Sequence, residues 1–372
     1  MQQIFKGEFT RIVGAMHVVI YAHPQGCRGY FLIDPLSKDT LALDVHLDNV
    51  YAMAEQVKAE GWNLRFVVDT HTHADHPSGS RDLAAPFGST RMAPEKANQV
   101  GVSVHLKDGD TIPLGNLKIT VRDAPGHTPD SLALVIPGAL FSGDSLFIGG
   151  VARTDFLGGN AGQLFDTIHR FLTELPDDTI LFPGHDYQGK TESTLGKEKT
   201  DNPWLQIQTR EEFVQKLIAN PPSKPANLDM ILRYNQEGVA LPAGMSADEA
   251  IRFVKNGGAF EVIDVRTQEE VEEQHIPGSQ WIPLDQIEAR ADEVMATPVP
   301  RLMLCLRGGR GAAAKKTLED TFHVSGLAVV EGGLEAYVKS GGATVKGKAN
   351  LSREIVFPNG VKQGTYAVPP PK

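Results

Sequence analysis

A chain of 372 residues is too long for one ordinary domain and suits two or three, and 41% hydrophobic with 22% charged residues provides packed cores rather than disorder. The formal net charge of -10 argues against a nucleic-acid partner, whose phosphates need a basic face, and no run of about 18 apolar residues offers a membrane span. The opening Met1 to Gly7 lacks the basic and apolar regions of a signal peptide, and the two cysteines, Cys27 and Cys305, have no CxxC neighbours, so a reduced, cytoplasmic protein is expected.

In chain order, short apolar runs read as strands over residues 30–33, 64–68, 117–121, 133–136 and 180–182, most of them ending near Pro, Gly or Asp. Helical patterns occupy residues 50–60 and 163–175 between them, so this part is expected to be an α/β domain with helix-covered sheets. Asn220-Pro221-Pro222-Ser223-Lys224-Pro225 and Leu241-Pro242-Ala243-Gly244 bracket a helical stretch, Leu228 to Gln236, that reads as a linker, since proline continues neither a helix nor a central strand. Ser246, with Glu249 three positions on, predicts a capped helix to about Asn256. Beyond it, strands over 260–264, 301–304 and 327–330 alternate with helices, one of them starting at Gly311, which predicts a parallel sheet covered on both faces. The expected division is 1–220, a linker over 221–244, a second domain over 245–342 and an extended C-terminal arm over 343–372.

Chemistry concentrates where strands end. Phe66-Val67-Val68 runs into Asp69-Thr70-His71-Thr72-His73-Ala74-Asp75-His76-Pro77, three histidines and two aspartates within eight residues. Such a cluster repels itself and is poorly satisfied when buried, and a divalent cation bound by neutral imidazole and carboxylate resolves the conflict. Further candidates follow in Gly126-His127-Thr128, Gly143-Asp144 and Gly184-His185.

His71-x-His73-x-Asp75-His76 with later His127, Asp144 and His185 resembles the metallo-β-lactamase fold over roughly residues 5 to 215, which implies an αββα sandwich with the ligands on loops at one edge. The family's chemistry varies, so two occupancies stand open. In one, His71, His73 and His127 hold one ion, Asp75, His76 and His185 a second, and Asp144 bridges them, which makes a hydrolytic centre. In the other, His71, His127 and Asp144 form a two-His-one-carboxylate triad for Fe(II), with positions left for substrate and O₂. Ala152-Arg153-Thr154-Asp155-Phe156 and His185-Asp186-Tyr187 resemble the persulfide dioxygenase branch. That resemblance implies one Fe(II) per chain and oxidation of glutathione persulfide to sulfite and glutathione. Arg153 then suits a substrate carboxylate and Tyr187 a hydrogen bond to substrate, while His73, Asp75, His76 and His185 support the ligands from behind. His17, His46, His169 and Cys27 read as ordinary residues.

In the second domain, Arg301-Leu302-Met303-Leu304 delivers Cys305 into Cys305-Leu306-Arg307-Gly308-Gly309-Arg310, followed by a helix. Backbone N–H groups around the sulfur, the helix N-terminus and two arginines all favour thiolate. With Val262-Ile263-Asp264-Val265-Arg266, His275-Ile276-Pro277-Gly278 and Val330-Glu331-Gly332-Gly333-Leu334, this resembles the rhodanese domain. A six-residue loop suits sulfur transfer there, with Cys305, Arg307 and Arg310 catalytic and Gly308 and Gly309 lining the anion seat. Together the halves imply a bifunctional enzyme of sulfur metabolism using glutathione persulfide, O₂, thiosulfate and glutathione. The oligomeric state, homo-oligomer included, stays open. The other reading is a dinuclear zinc glutathione thioesterase of glyoxalase II type with a regulatory rhodanese module.

Overall fold

Strand side chains alternate between two faces, so a strand buried on both sides can serve two cores at once. Val18, Ile20, Tyr30 and Leu32 face a core between two sheets, while Val19, Tyr21, Phe31 and Ile33 face a core beneath helices. This is the αββα sandwich expected from the sequence.

The computed structural model describes residues 9–155, 158–221, 227–255, 262–297 and 299–347 and the short segments 355–356 and 362–363. The chain forms two compact units, Met1–His73 with Ser78–Ser223 and Asn235–Gly238, and Ala74–Pro77 with Lys224–Tyr234 and Val239–Lys372. In the first unit come β1 (Phe9–Val13), β2 (Met16–Ala22), β3 (Arg28–Ile33), β4 (Asp39–Leu43), α1 (Val50–Glu60), β5 (Asn63–Val68), α2 (Ser80–Phe87), β6 (Thr90–Pro94) and β7 (Val104–Leu106). These seven strands form one sheet in sequence order. The other sheet takes β8 (Thr111–Leu114), β9 (Leu117–Asp123), β10 (Leu132–Ile136) and β11 (Ala139–Gly143), then, past the small hairpin of β12 (Leu146–Phe147) and β13 (Gly150–Val151) and helix α3 (Ala161–Glu174), β14 (Ile180–Pro183) and β15 (Ser193–Thr194). Helices α4 (Leu195–Asp201) and α5 (Arg210–Ala219) complete the unit.

Leu164, Ile168 and Phe171 of α3 pack on Ala133, Leu140 and Leu181 of the second sheet, as Met53 and Val57 of α1 pack on the first. Strands β9 and β11 both run antiparallel to β10, and β14 runs parallel to β11. The C-terminal ends of β9, β11 and β14 therefore share one edge of the sandwich, and the loops carrying His127, Asp144 and His185 leave from it.

The second unit opens with α6 (Leu228–Leu232), which continues as one π-helical turn to Glu237 instead of the single helix expected, and Asn235 to Gly238 of that stretch belong to the first unit. Then come β16 (Gly244–Met245), α7 (Ala247–Lys255), β17 (Val262–Asp264), α8 (Gln268–Glu273), β18 (Gln280–Trp281), α9 (Ala291–Met295), β19 (Arg301–Leu304), α10 (Gly309–Phe322), β20 (Leu327–Val330) and α11 (Gly333–Lys339). The five strands lie all parallel in the order β16-β20-β19-β17-β18. The Ser246 cap forms, its hydroxyl donating to Glu249. Helix α10 starts at Gly309 rather than Gly311, because Gly308 takes a φ of 99° that turns the chain directly into the helix. Residues 260–261 of the expected strand and most of the C-terminal arm lie outside the described residues. Within the arm, Ile355–Val356 and Lys362–Gln363 pair as short antiparallel strands. Among the described residues no helix is long and apolar enough to cross a membrane.

Phe141 is wholly buried between the sheets, stacked on Phe182 at 4.9 Å and edge-on to Tyr30 at 5.3 Å. Phe141→Ala is expected to cost about 3–5 kcal/mol, because the rigid sheets cannot close over the space. Urea unfolding of the full chain measures it.

Candidate metal centre and cysteine loop

Strand β5 ends at Val68, and the chain then turns under the control of three distant side chains. Asp44, just past β4, accepts the Thr70 N–H at 2.7 Å and the Thr70 hydroxyl at 2.9 Å. Asp130 accepts the Thr72 N–H at 3.0 Å and the Thr72 hydroxyl at 2.6 Å. Asn235 donates to the His73 carbonyl and accepts from the Ser78 N–H, both at 2.8 Å. Each tie satisfies a buried polar backbone group and fixes the histidines' starting positions.

The ring protons follow from these ties. The Thr70 hydroxyl gives its proton to Asp44, so toward His71, whose Nδ1 is 3.0 Å away, Oγ1 can only accept. His127 Nδ1 lies 2.7 Å from the Arg153 carbonyl, which also can only accept. Both imidazoles thus carry their proton on Nδ1 and present the lone pair of Nε2. Those Nε2 atoms stand 3.9 Å and 3.8 Å from Asp144 Oδ2. Donors that share one ion at about 2.1 Å lie about 3–4 Å apart, so this buried trio fits a single cation. His185 Nδ1 donates to the other Asp144 oxygen at 2.8 Å and aims the carboxylate. Burial opposes ionisation of Asp144, yet His185, by its charge and its hydrogen bond, overturns this and holds the carboxyl below the ordinary range.

The remaining candidates divide. His73 packs beside His71, ring centroids 4.2 Å apart, with its Nε2 3.3 Å from Asp44 and 3.9 Å from Asp69. His76 is buried with Nδ1 3.1 Å from the Pro77 carbonyl, and Asp75 is half-buried before it. Arg153 forks onto Asp155 with two contacts of 2.7 Å, so a substrate carboxylate would have to exchange with that internal one. Tyr187 lies nearly parallel to the His185 ring and directly over Gly26, where a Cβ would come within 2.6 Å of the Tyr187 ring. His23, Cys27 and His46 also gather, but the two rings stack at 3.6 Å and 18°, and parallel rings one above the other cannot both aim in-plane lone pairs at one ion.

In the second unit the Cys305 sulfur, buried at the end of β19, accepts the Gly308 N–H at 3.0 Å. The Gly332-Gly333 turn seats the loop: Leu334 N–H reaches the Cys305 carbonyl at 2.8 Å and Glu335 N–H the Leu306 carbonyl at 3.1 Å. Gly333 is indispensable there, since a Cβ would lie 2.3 Å from the Cys305 carbonyl oxygen. Both loop arginines are paired, Arg307 with Glu335 at 2.9 Å and Arg310 with Glu270 through two contacts of 2.6 Å.

Residues 16–185 match the metallo-beta-lactamase superfamily and residues 246–340 the rhodanese-like domain. The human mitochondrial persulfide dioxygenase ETHE1 is 34% identical over 216 residues, 57% of this chain and 85% of the human one. The chain belongs to the persulfide dioxygenase family of the metallo-β-lactamase superfamily, and carries a rhodanese-like domain. The crystal structure of ETHE1 from Myxococcus xanthus matches with a TM-score of 0.55 at 31% identity, covering 63% of this chain and 98% of that one. A hydroxyacylglutathione hydrolase of Erythrobacter litoralis is 30% identical over 210 residues, 56% of this chain and 81% of its own. Membership of this family with a rhodanese-like domain attached implies a metal cofactor and a place in sulfur metabolism.

Three residues that govern the family's motif here, Asp44, Asp130 and Asn235, escape a reading of the sequence. Their one signal is that each is a polar residue beside a strand end or linker, a pattern shared by many surface positions. Thr70→Val is expected to weaken metal retention about 10- to 100-fold, because it removes the acceptor that sets the His71 proton; competition against a chelator reads this without reference to activity. Arg310 holds the Glu270 carboxyl down at about 2, against an ordinary value of 4.5. The pair therefore adds stability above about pH 4.5 that fades as pH falls toward 2, about 1 kcal/mol after allowing for solvent screening. Unfolding curves of wild type and Glu270→Gln are expected to differ at pH 6 and converge in acid.

Proposed function

We propose that the first unit oxidises glutathione persulfide with O₂ to sulfite and glutathione at a mononuclear Fe(II) held by His71, His127 and Asp144. In balance, one persulfide, one O₂ and one water yield glutathione, sulfite and two protons. The observation that carries this reading is the placing of the imidazoles: His71 and His127 bring Nε2 beside Asp144 Oδ2, while the Nε2 of His73, the third that a dinuclear hydrolase needs, stands nearest Asp44 and Asp69. When bound, ferrous iron supplies the redox chemistry between dioxygen and sulfur that no side chain can supply. The protein's own groups do the rest. His185 keeps one Asp144 oxygen occupied so that the other faces the ion. Arg153, released from Asp155, takes a glutathione carboxylate, and Tyr187 borders the same approach and offers its hydroxyl to the substrate. Asp75 and His76 support the loop.

In the second domain, taken as 245–342 after a linker over 221–244, Cys305 accepts sulfane sulfur from thiosulfate as a persulfide and passes it to glutathione. Gly308 and Gly309 line the anion seat, and Arg307 and Arg310 act with Cys305 from the same loop. The product of that transfer is the substrate of the iron site, which is the chemical reason for the fusion. The hydroxyacylglutathione hydrolase relatives support a second reading, a dinuclear zinc thioesterase, in which His73 would join His71 and His127 on one ion.

Oxygen uptake with glutathione persulfide is expected to fall at least about 100-fold in His71→Ala and in Asp144→Ala, with sulfur transfer from thiosulfate preserved. Cys305→Ser is expected to abolish transfer and spare oxygen uptake. Thioester hydrolysis in place of oxygen uptake, supported by two zinc ions per chain, would establish the second reading.

A further inference from the structure

The charge around Cys305 is smaller than its sequence suggests. Cys305-Leu306-Arg307-Gly308-Gly309-Arg310 promises two positive groups at the sulfur, yet Arg307, Arg310 and Arg266 each have an anion at contact distance. Arg307 and Glu335 form an exposed rim pair, the Arg307 side chain 77% accessible, of the kind that contributes little. Arg266 is wrapped on buried Asp264, with contacts of 2.6 Å and 2.8 Å. Arg310 is the decisive case. Its two terminal nitrogens meet the two Glu270 oxygens at 2.6 Å each, so its fork is filled. Glu270 is not at liberty to leave, because the same carboxylate accepts the Thr267 N–H at 3.1 Å in the capping box that starts α8. The seat for an anion is left to backbone N–H groups such as that of Gly308.

We propose that Glu270 sets the donor specificity of the Cys305 loop: by holding Arg310 in a fixed ion pair it lowers the positive field at the sulfur, so that donors are discriminated by charge and dianions are disfavoured against monoanions. This deepens, and rests on, the sulfurtransferase reading of Cys305. In the step concerned the Cys305 thiolate attacks the sulfane sulfur of thiosulfate, the donor's S–S bond breaks, and sulfite leaves with the bonding pair. The enzyme keeps a Cys305 persulfide, and three negative charges stand on each side. For an organic thiosulfonate the same exchange releases a sulfinate and involves two. A cation released beside the sulfur favours binding of the dianion over the monoanion. Glu270 acts through Arg310 and is a positioning residue.

The test is steady-state sulfur transfer to glutathione by the full chain, with thiosulfate and a benzenethiosulfonate as donors. Glutamine preserves the capping-box bond, so Glu270→Gln removes the charge and leaves α8 started. The expected result is a thiosulfate KM about five- to tenfold lower, a thiosulfonate KM only about two- to threefold lower, and kcat within about twofold for both. Glu270→Asp, which retains the charge, is expected to restore most of the wild-type difference between donors, and Glu335→Gln at the exposed rim to shift neither KM beyond about twofold. Equal shifts for the two donors, or a higher KM for thiosulfate, overturn the proposal and leave Glu270 with a structural role alone. Mass spectrometry of the wild-type chain after thiosulfate treatment separates the two levels. An added sulfur on Cys305 with charge-blind KM values defeats the specificity role only, whereas absence of that sulfur defeats the sulfurtransferase reading and this proposal with it.

Discussion

The direction of two imidazole protons decides what the first unit can hold. A histidine ligates only through a nitrogen free of hydrogen, and the other nitrogen's partner dictates which one that is. For His127 the partner is the Arg153 carbonyl, and for His71 it is a threonine hydroxyl whose own proton is spent on Asp44. Neither partner can donate back, so both rings turn the same face to Asp144. The same Asp44 that completes the chain of bonds preparing His71 also lies 3.3 Å from His73 Nε2, so one carboxylate borders two histidines of the motif.

The sandwich makes this arrangement reproducible. Three strands of one sheet run in the same direction and end at the same edge, so residues far apart in the chain arrive together without long structureless loops. The hairpin between β2 and β3 braces that edge, with Arg28 N–H bound to the Gly184 carbonyl at 2.8 Å and the Arg28 guanidinium 3.0 Å from Asp186. The second unit uses a different device. Its reactive sulfur sits at the end of a parallel strand, in a loop shaped by Gly308 and by the Gly332-Gly333 turn, and the surrounding charges are balanced in pairs rather than massed.

Much of this was legible in the sequence, for a physical reason. The ligand motif is local, since His71 to His76 lie in one loop, and the cysteine loop is one strand-to-helix turn, so each shows its chemistry in consecutive letters. The strands flanked by turns, such as β3, β5 and β10, were equally plain. What stayed hidden acts at a distance: Asp44, Asp130 and Asn235 reach the ligand loop from 26 to 162 positions away, and nothing beside them in the chain shows where they point. The glutamates that neutralise Arg307 and Arg310 come from two other helices. Strand β4 is hard to read because Lys38 and Asp39 mask its start, and the start of α10 because two consecutive glycines read as loop until one takes a positive φ. The stretch 228–236 reads as a simple linker helix, and its Asn235 instead ties the metal loop.

The most direct test of the central claim is anomalous X-ray scattering from crystals of protein purified without oxygen, recorded on either side of the iron and zinc absorption edges. The account predicts a single iron peak per chain, bounded by His71 Nε2, His127 Nε2 and Asp144 Oδ2, with the His73 ring still turned to Asp44. Two zinc peaks, one of them bound by His73, would contradict it.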